Sequence, residues 1–160
     1  MARSSRWLSG ESGPCWLCAV VDGTVEAFVV SETANVLVLV APLALNPGHA
    51  LVVPRRHIRD VYTLPEELAG PVLATAARVA RAAKQAFGAD GVTLRQHNDA
   101  AGGQEVFHFH LHVIPRFAGD AGRFDAPPRL TSRAEQERIG SRLRPSLAIP
   151  PTKRGTRSEP

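Results

Sequence analysis

The stretch His108-Phe109-His110-Leu111-His112-Val113-Ile114 alternates imidazole and apolar side chains without a break. In an extended chain every second side chain turns to the same face. The stretch therefore reads as a β-strand, with three imidazoles on one side and Phe109, Leu111 and Val113 buried on the other. Three of the six histidines in the chain lie within these five positions. Neutral imidazoles ligate metals, attack electrophiles and move protons near neutral pH. A strand that carries three of them on one face marks a site.

The surrounding sequence supplies a sheet for this strand to join. Ala27-Phe28-Val29-Val30 and Val36-Leu37-Val38-Leu39-Val40 are rich in β-branched residues and predict two strands. Asn46-Pro47-Gly48 reads as a turn, followed by a strand from His49 to Val53 closed by Pro54. Thr63-Leu64-Pro65-Glu66 has the form of a capping box with proline in the first helical turn. Leu68, Val72, Ala76, Val79, Ala80, Ala83 and Phe87 then recur at helical spacing, with Gly88 as the stop and Pro71 as an early kink or restart. A fourth strand is expected over Gly91–Gln96 and the fifth over Val106–Pro115, joined by the loop Asp99–Gly103. A weaker helix is expected over Arg133–Leu143. Consecutive strands with short turns and one inserted helix predict an α+β fold: a five-stranded antiparallel sheet, one main helix and a C-terminal helix.

Bulk properties narrow the function classes. A chain of 160 residues, 44% hydrophobic and 21% charged, fits one globular domain that needs no disulfide support. Its sequence lacks the long apolar run of a membrane span and the apolar core of a signal peptide, so a cytoplasmic location is expected. The net charge of +4 is concentrated at the ends, in Arg3 and Arg6 and in Lys153, Arg154 and Arg157. Nucleic-acid binding is therefore disfavoured, since a basic folded face is missing. The chain divides into a leader at 1–13 and a basic tail at 148–160, both expected to be disordered, around a domain at 14–147.

The only cysteines form Cys15-Trp16-Leu17-Cys18. A redox pair, two plain thiols and half of a zinc site compete here. The redox reading lacks the preceding strand that a thioredoxin-like unit would supply. The zinc reading needs two further ligands, for which His57 and one of the strand histidines are candidates. Two sulfurs and two nitrogens suit a closed, structural tetrahedral Zn²⁺.

The histidine stretch resembles the signature of the histidine triad family of nucleotide-binding hydrolases and transferases. Pro47-Gly48-His49-Ala50-Leu51-Val52-Val53-Pro54-Arg55-Arg56-His57 resembles a second block of that family. Gly103-Gln104-Glu105-Val106-Phe107 and Ile114-Pro115-Arg116 flank the triad as they do in relatives. The resemblance implies cleavage at the α-phosphorus of a nucleotide, with His110 attacking to form a nucleotidyl-imidazole. It implies that His112 touches the phosphate or moves a proton, that His49 supports His110, and that Gln104 donates to a phosphate oxygen. Backbone N–H groups at Gly102-Gly103 would add anion stabilisation. It also implies structural zinc held by Cys15, Cys18, His57 and His108, and a homodimer.

Three positions depart from the family pattern. Ala41 stands where relatives carry a side chain that holds the ribose hydroxyls. His97 stands in place of an asparagine that reaches the phosphate or ribose, with Asn98 beside it as the alternative. Glu105 replaces a Ser or Thr, and strand parity predicts that it faces away from His108 and His110. The departures leave a second reading beside the hydrolase, a nucleotide-binding or scaffold protein with vestigial turnover.

Overall fold

The computed structural model describes residues 13–120 and 127–147. The expected leader (but for its last residue) and the basic tail lie outside the described residues. In chain order the elements are α1 (Trp16–Val21), β1 (Val29–Glu32), β2 (Val36–Val40), β3 (Leu43–Ala44), β4 (Ala50–Pro54), α2 (Glu66–Phe87), β5 (Gly91–Arg95), β6 (Leu111–Arg116), β7 (Arg129–Leu130) and α3 (Arg133–Leu147). Five strands form one antiparallel sheet in the order β1-β2-β4-β6-β5. The α+β expectation holds, with a small second sheet of β3 and β7 that the sequence reading did not foresee.

Strand alternation splits the core in two. Val36, Val38 and Val40 of β2 and Ala50 and Val52 of β4 face α2 and α3, where they meet Val72, Ala76, Val79 and Leu143. Leu37, Leu39, Leu51 and Val53 face the other way and pack against Trp16, Leu17 and Val20 of α1. Each fully buried Val or Leu stabilises the fold by about 1.5–3 kcal/mol. Both faces of the central strands are therefore covered, and every residue of β2 and β4 is buried.

Several expected boundaries move, each for a local reason. Strand β1 starts at Val29 rather than Ala27 and runs to Glu32, because Thr33 closes the β1–β2 connection with Oγ1 accepting from the N–H of Val36 (3.0 Å). Strand β4 runs Ala50–Pro54, one residue later than expected. The Thr63 capping box does not form. Thr63 ends a 3-10 turn capped by Asp60, whose carboxylate accepts from the Thr63 N–H (3.1 Å), and α2 begins after Pro65 without a side-chain cap. Helix α2 runs through Pro71 to Gly88, whose left-handed conformation (φ 66°) ends it. Helix α3 extends four residues past the expected end, so that Leu147 joins Ile139 and Leu143 in the core.

The most consequential shift concerns the histidine strand. The ladder begins at Leu111, not Val106, so only His112 of the three sits in a regular strand. Continuing the β4–β6 register would put Pro54 opposite Phe109, and Pro54 has no N–H to give. The backbone of Phe109 instead donates to the carbonyl of Ile58. The side chains still alternate, since Phe109, Leu111 and Val113 enter the helix-side core.

Candidate active site and metal centre

Cys15 caps the N-terminus of α1, its Sγ accepting from the Cys18 N–H at 3.3 Å. That turn brings both sulfurs to the sheet face on which His108 lies. His108 Nδ1 is 3.3 Å from Cys15 Sγ and 3.5 Å from Cys18 Sγ, and His57 Nδ1 is 3.2 Å from Cys18 Sγ. All four ligand atoms lie within 4.8 Å of one another. Tetrahedral zinc, with Zn–S near 2.3 Å and Zn–N near 2.0 Å, requires S···N separations of about 3.5 Å. The donor set fits. His108 Nε2 lies 2.9 Å from the Pro54 carbonyl, which only accepts, so Nε2 carries the proton and Nδ1 keeps its lone pair for the metal. Burial and the neighbouring Cys15 push the Cys18 thiol up to about 12, so a thiolate there needs a cation beside it. These residues form a structural zinc centre with no open position.

The other histidines form a hydrogen-bonded chain whose tautomers follow from their partners. The N–H of Leu45 donates to His49 Nδ1 at 3.1 Å, so the neutral His49 carries its proton on Nε2. That proton points at His112 Nδ1, 2.9 Å away, which leaves His112 with its proton on Nε2. His110 Nδ1 sits 2.7 Å from the His108 carbonyl and must donate to it, so the lone pair of neutral His110 is on Nε2. Burial lowers the imidazolium pKa of His110 from its ordinary value, and only partly against it does the His108 carbonyl act. Burial, then the charges of Arg95 and Arg116, push His49 down to about 3. Burial also holds His112 well below the ordinary range, with His110, His49, His97 and Arg95 adding to the effect. The three imidazoles are neutral at physiological pH.

His49, His110 and His112 line a cavity of about 260 Å³ between the sheet and α1. Its wall on the β2–β4 side is apolar, formed by Trp16, Leu17, Ala41, Leu43 and Leu51. Ala41 offers no polar side chain, its N–H already donates to the His49 carbonyl, and its carbonyl already accepts from Thr131. On the opposite side the lining includes Arg95 and His97.

Four expectations about that side need correction. Gln104 lines the cavity, but its amide is engaged: Nε2 donates to the carbonyls of Arg59 (2.6 Å) and Val106 (3.2 Å), and Oε1 accepts from the Asp99 N–H (2.8 Å). Gln104 thus holds Asp99, a non-glycine residue at φ 58° and ψ 163°, a conformation that costs on the order of 1–3 kcal/mol. Asn98 does not line the cavity; it accepts from the Val61 N–H and pairs with the Gln96 amide. The N–H groups of Gly102 and Gly103 donate to the carbonyls of Asp99 and Ala100, so they are not the anion donors expected, although Gly103 does line the cavity. Glu105 lines the cavity rather than facing away, because bends over residues 106–108 separate it from the alternating stretch and the parity counted from His108 does not carry back to it.

Sequence reasoning missed Arg95, Trp16 and Leu17. For Trp16 and Leu17 the signal was present, because residues between two metal-binding cysteines are held wherever the metal is. For Arg95 it lay in pairing: β5 places Arg95 directly across from His112.

The HIT domain family profile matches residues 22–119. Among solved structures, a zinc-bound histidine triad family protein from Mycobacterium smegmatis superposes with a TM-score of 0.72 at 34% identity, covering 84% of this chain and 93% of its own. A hypothetical histidine triad nucleotide-binding protein from Sulfolobus tokodaii gives a TM-score of 0.76 at 25% identity, over 83% of this chain and 91% of its own. A HIT family hydrolase from Legionella pneumophila gives 0.57 at 31% identity, over 63% of this chain and 91% of its own. With the triad, the Cys₂His₂ centre and the five-stranded sheet all in place, the chain belongs to the histidine triad (HIT) family.

Proposed function

We propose that the chain is a hydrolase that cleaves nucleotides at the α-phosphorus through a covalent intermediate on His110. One observation carries this reading. The His108 carbonyl takes the Nδ1 proton of His110, and His110 lines the cavity, which leaves a neutral imidazole with its Nε2 lone pair as nucleophile. Attack forms an N–P bond as the bond from phosphorus to the leaving group breaks. The Nε2–H of His112, fixed by the relay from Leu45 through His49, is placed to hydrogen-bond a phosphoryl oxygen. Water then cleaves the N–P bond, releasing the nucleoside monophosphate and the free imidazole. The apolar wall of Trp16, Leu17 and Leu51 suits a base and sugar with few polar contacts. The nucleotide-binding and hydrolase relatives support the same substrate class and chemistry. The homodimer that the family resemblance implies, and the cytoplasmic setting expected from the sequence, belong to this reading.

The lack of a polar group at Ala41 favours a second reading, a nucleotide binder with vestigial turnover. Turnover of adenosine 5′-phosphoramidate and of a dinucleoside polyphosphate, measured for wild type and His110→Ala, separates the two. Turnover of either that vanishes in the variant supports the hydrolase. Zinc-loaded wild-type protein that binds nucleotide and turns over neither substrate is a binder.

A further inference from the structure

Cys15 and Cys18 are the only thiols in the chain, and they leave the same end of one helix. Cys15 caps α1 and Cys18 lies in its first turn. Helical geometry sets the Cα atoms of residues three apart about 5 Å from each other. That is inside the range of about 4.4–6.8 Å that a disulfide spans. The two sulfurs already lie within 4.8 Å of each other, as they do of the His57 and His108 nitrogens. Both cysteines are half-buried and His57 is exposed, so the centre opens to solvent on the His57 side. The sulfurs are not equivalent. Cys15 Sγ accepts from the Cys18 N–H at 3.3 Å and sits beside the buried His108, whereas Cys18 Sγ is the one next to His57, at 3.2 Å.

We infer that Cys15 and Cys18 form an oxidation site for hydroperoxides, and that the disulfide made there empties the zinc centre and loosens one wall of the cavity. Sulfurs that ligate a cation are deprotonated, which is their reactive form. Cys18 Sγ, on the open side, attacks one peroxide oxygen; the O–O bond breaks, the second oxygen leaves as hydroxide or alkoxide, and Cys18 becomes a sulfenic acid. Cys15 Sγ then attacks that sulfur, the S–S bond forms and hydroxide leaves. Two sulfurs have passed two electrons to one peroxide. The chain has no third thiol to compete for the sulfenic acid, so one intramolecular pairing is available. His57 and His108 are then left as two of the four donors that a closed zinc site requires. Trp16 and Leu17, between the cysteines, line the cavity, so their wall loses its tie to the two histidines. The core on the helix side of the sheet contains no residue of α1, so it survives the change. The consequence for nucleotides, though not the oxidation itself, rests on the reading of the cavity proposed above.

The test is a titration of the zinc-loaded protein with hydrogen peroxide. Zinc release is followed with a colorimetric chelator, the disulfide by intact mass and free-thiol content, and the cavity by the affinity for adenosine 5′-monophosphate. Zinc should leave in step with the loss of two hydrogens per chain. Affinity should fall about tenfold, the loss if the wall is correctly placed only a tenth of the time. Dithiothreitol and added zinc should restore all three. Cys18→His keeps a fourth donor but cannot form the disulfide, so its zinc loss should be slower and not reversed by the dithiol. If that variant does not hold zinc, reversal in the wild type decides. Retention of zinc and both thiols in excess peroxide, or sulfinic and sulfonic acids without the disulfide, overturns the oxidation site. Reversible disulfide formation and zinc release with unchanged affinity overturns the link to the cavity. Reduced, zinc-loaded protein that does not bind adenosine 5′-monophosphate removes the nucleotide reading and that link with it, while zinc release and mass still decide the oxidation site.

Discussion

The backbone carbonyl of His108 accepts the Nδ1 proton of His110 at 2.7 Å, while the side chain of His108 belongs to the metal centre. One residue therefore joins zinc binding to the state of the nucleophile. The side chain must turn Nδ1 to the metal because Pro54 takes its Nε2 proton, and the backbone then presents its carbonyl to the next histidine but one. The expected outcome is a neutral His110 whose proton is on Nδ1 throughout the neutral range. Nitrogen-15 chemical shifts of the labelled side chain would show Nδ1 as the protonated nitrogen; a dominant Nε2–H form would contradict the assignment of Nε2 as nucleophile.

The metal centre should matter for the cavity as well as for stability. Cys15 and Cys18 bracket Trp16 and Leu17, and those two side chains line the cavity. Chelation, or Cys15→Ser, is expected to destabilise the protein by about 3 kcal/mol or more, since binding energy of a structural zinc is folding energy. Nucleotide affinity should fall in parallel as α1 loses its anchor. Thermal melts and nucleotide titrations on metal-free protein test this, and an unchanged melting temperature with full nucleotide affinity would refute it.

What the sequence made legible follows the physics of each signal. Strand β2 was read with its observed bounds because five consecutive β-branched or aliphatic residues between polar turns leave few alternatives. Coordination chemistry fixed the number and type of the zinc donors and offered Cys15, Cys18, His57 and one of the strand histidines; the family resemblance singled out His108, and the structure brings all four together. The start of β6 was not legible, since alternation persists in an extended segment whether or not a partner strand is there to pair with it. Gln104 and Asn98 were read as ligand-binding amides, whereas their partners are backbone groups of Arg59, Asp99 and Val61 that only the folded loop brings near. The short β3–β7 pair depends on Thr131 reaching Pro42 across 89 positions, a contact without a local sequence signal.

Acid should weaken the fold through His49. Its pKa falls from 6.5 to about 3 on folding, because of burial first and then Arg95 and Arg116. Between those values the unfolded chain binds a proton that the native state refuses. Stability from this group is therefore complete above pH 6.5 and declines as pH falls, by about 1.4 kcal/mol per unit, until the native His49 itself titrates. At pH 5 the loss is about 2 kcal/mol. His49→Gln removes this titration, so its stability, although lower at pH 7.5, should fall less steeply toward pH 5 in urea unfolding. Parallel slopes for wild type and variant would show that His49 is not held neutral.

Gly140 offers a test of packing against propensity. It lies inside α3, where alanine is ordinarily better than glycine by about 1 kcal/mol. A Cβ at this position, however, would overlap Phe28 Cε1 and meet Cδ1 at 2.7 Å. The ring cannot easily yield, because Phe28 is buried in the helix-side core and Arg144 stacks over it at 4.9 Å, with Arg133 at 5.6 Å. Overpacking a fixed core typically costs about 1–3 kcal/mol, which exceeds the gain in propensity. Gly140→Ala should therefore lower the melting temperature, while Gly70→Ala, in α2 with nothing within 4 Å of the added Cβ, should raise it. A Gly140→Ala protein at least as stable as wild type would mean that Phe28 and α3 pack more loosely than these distances require.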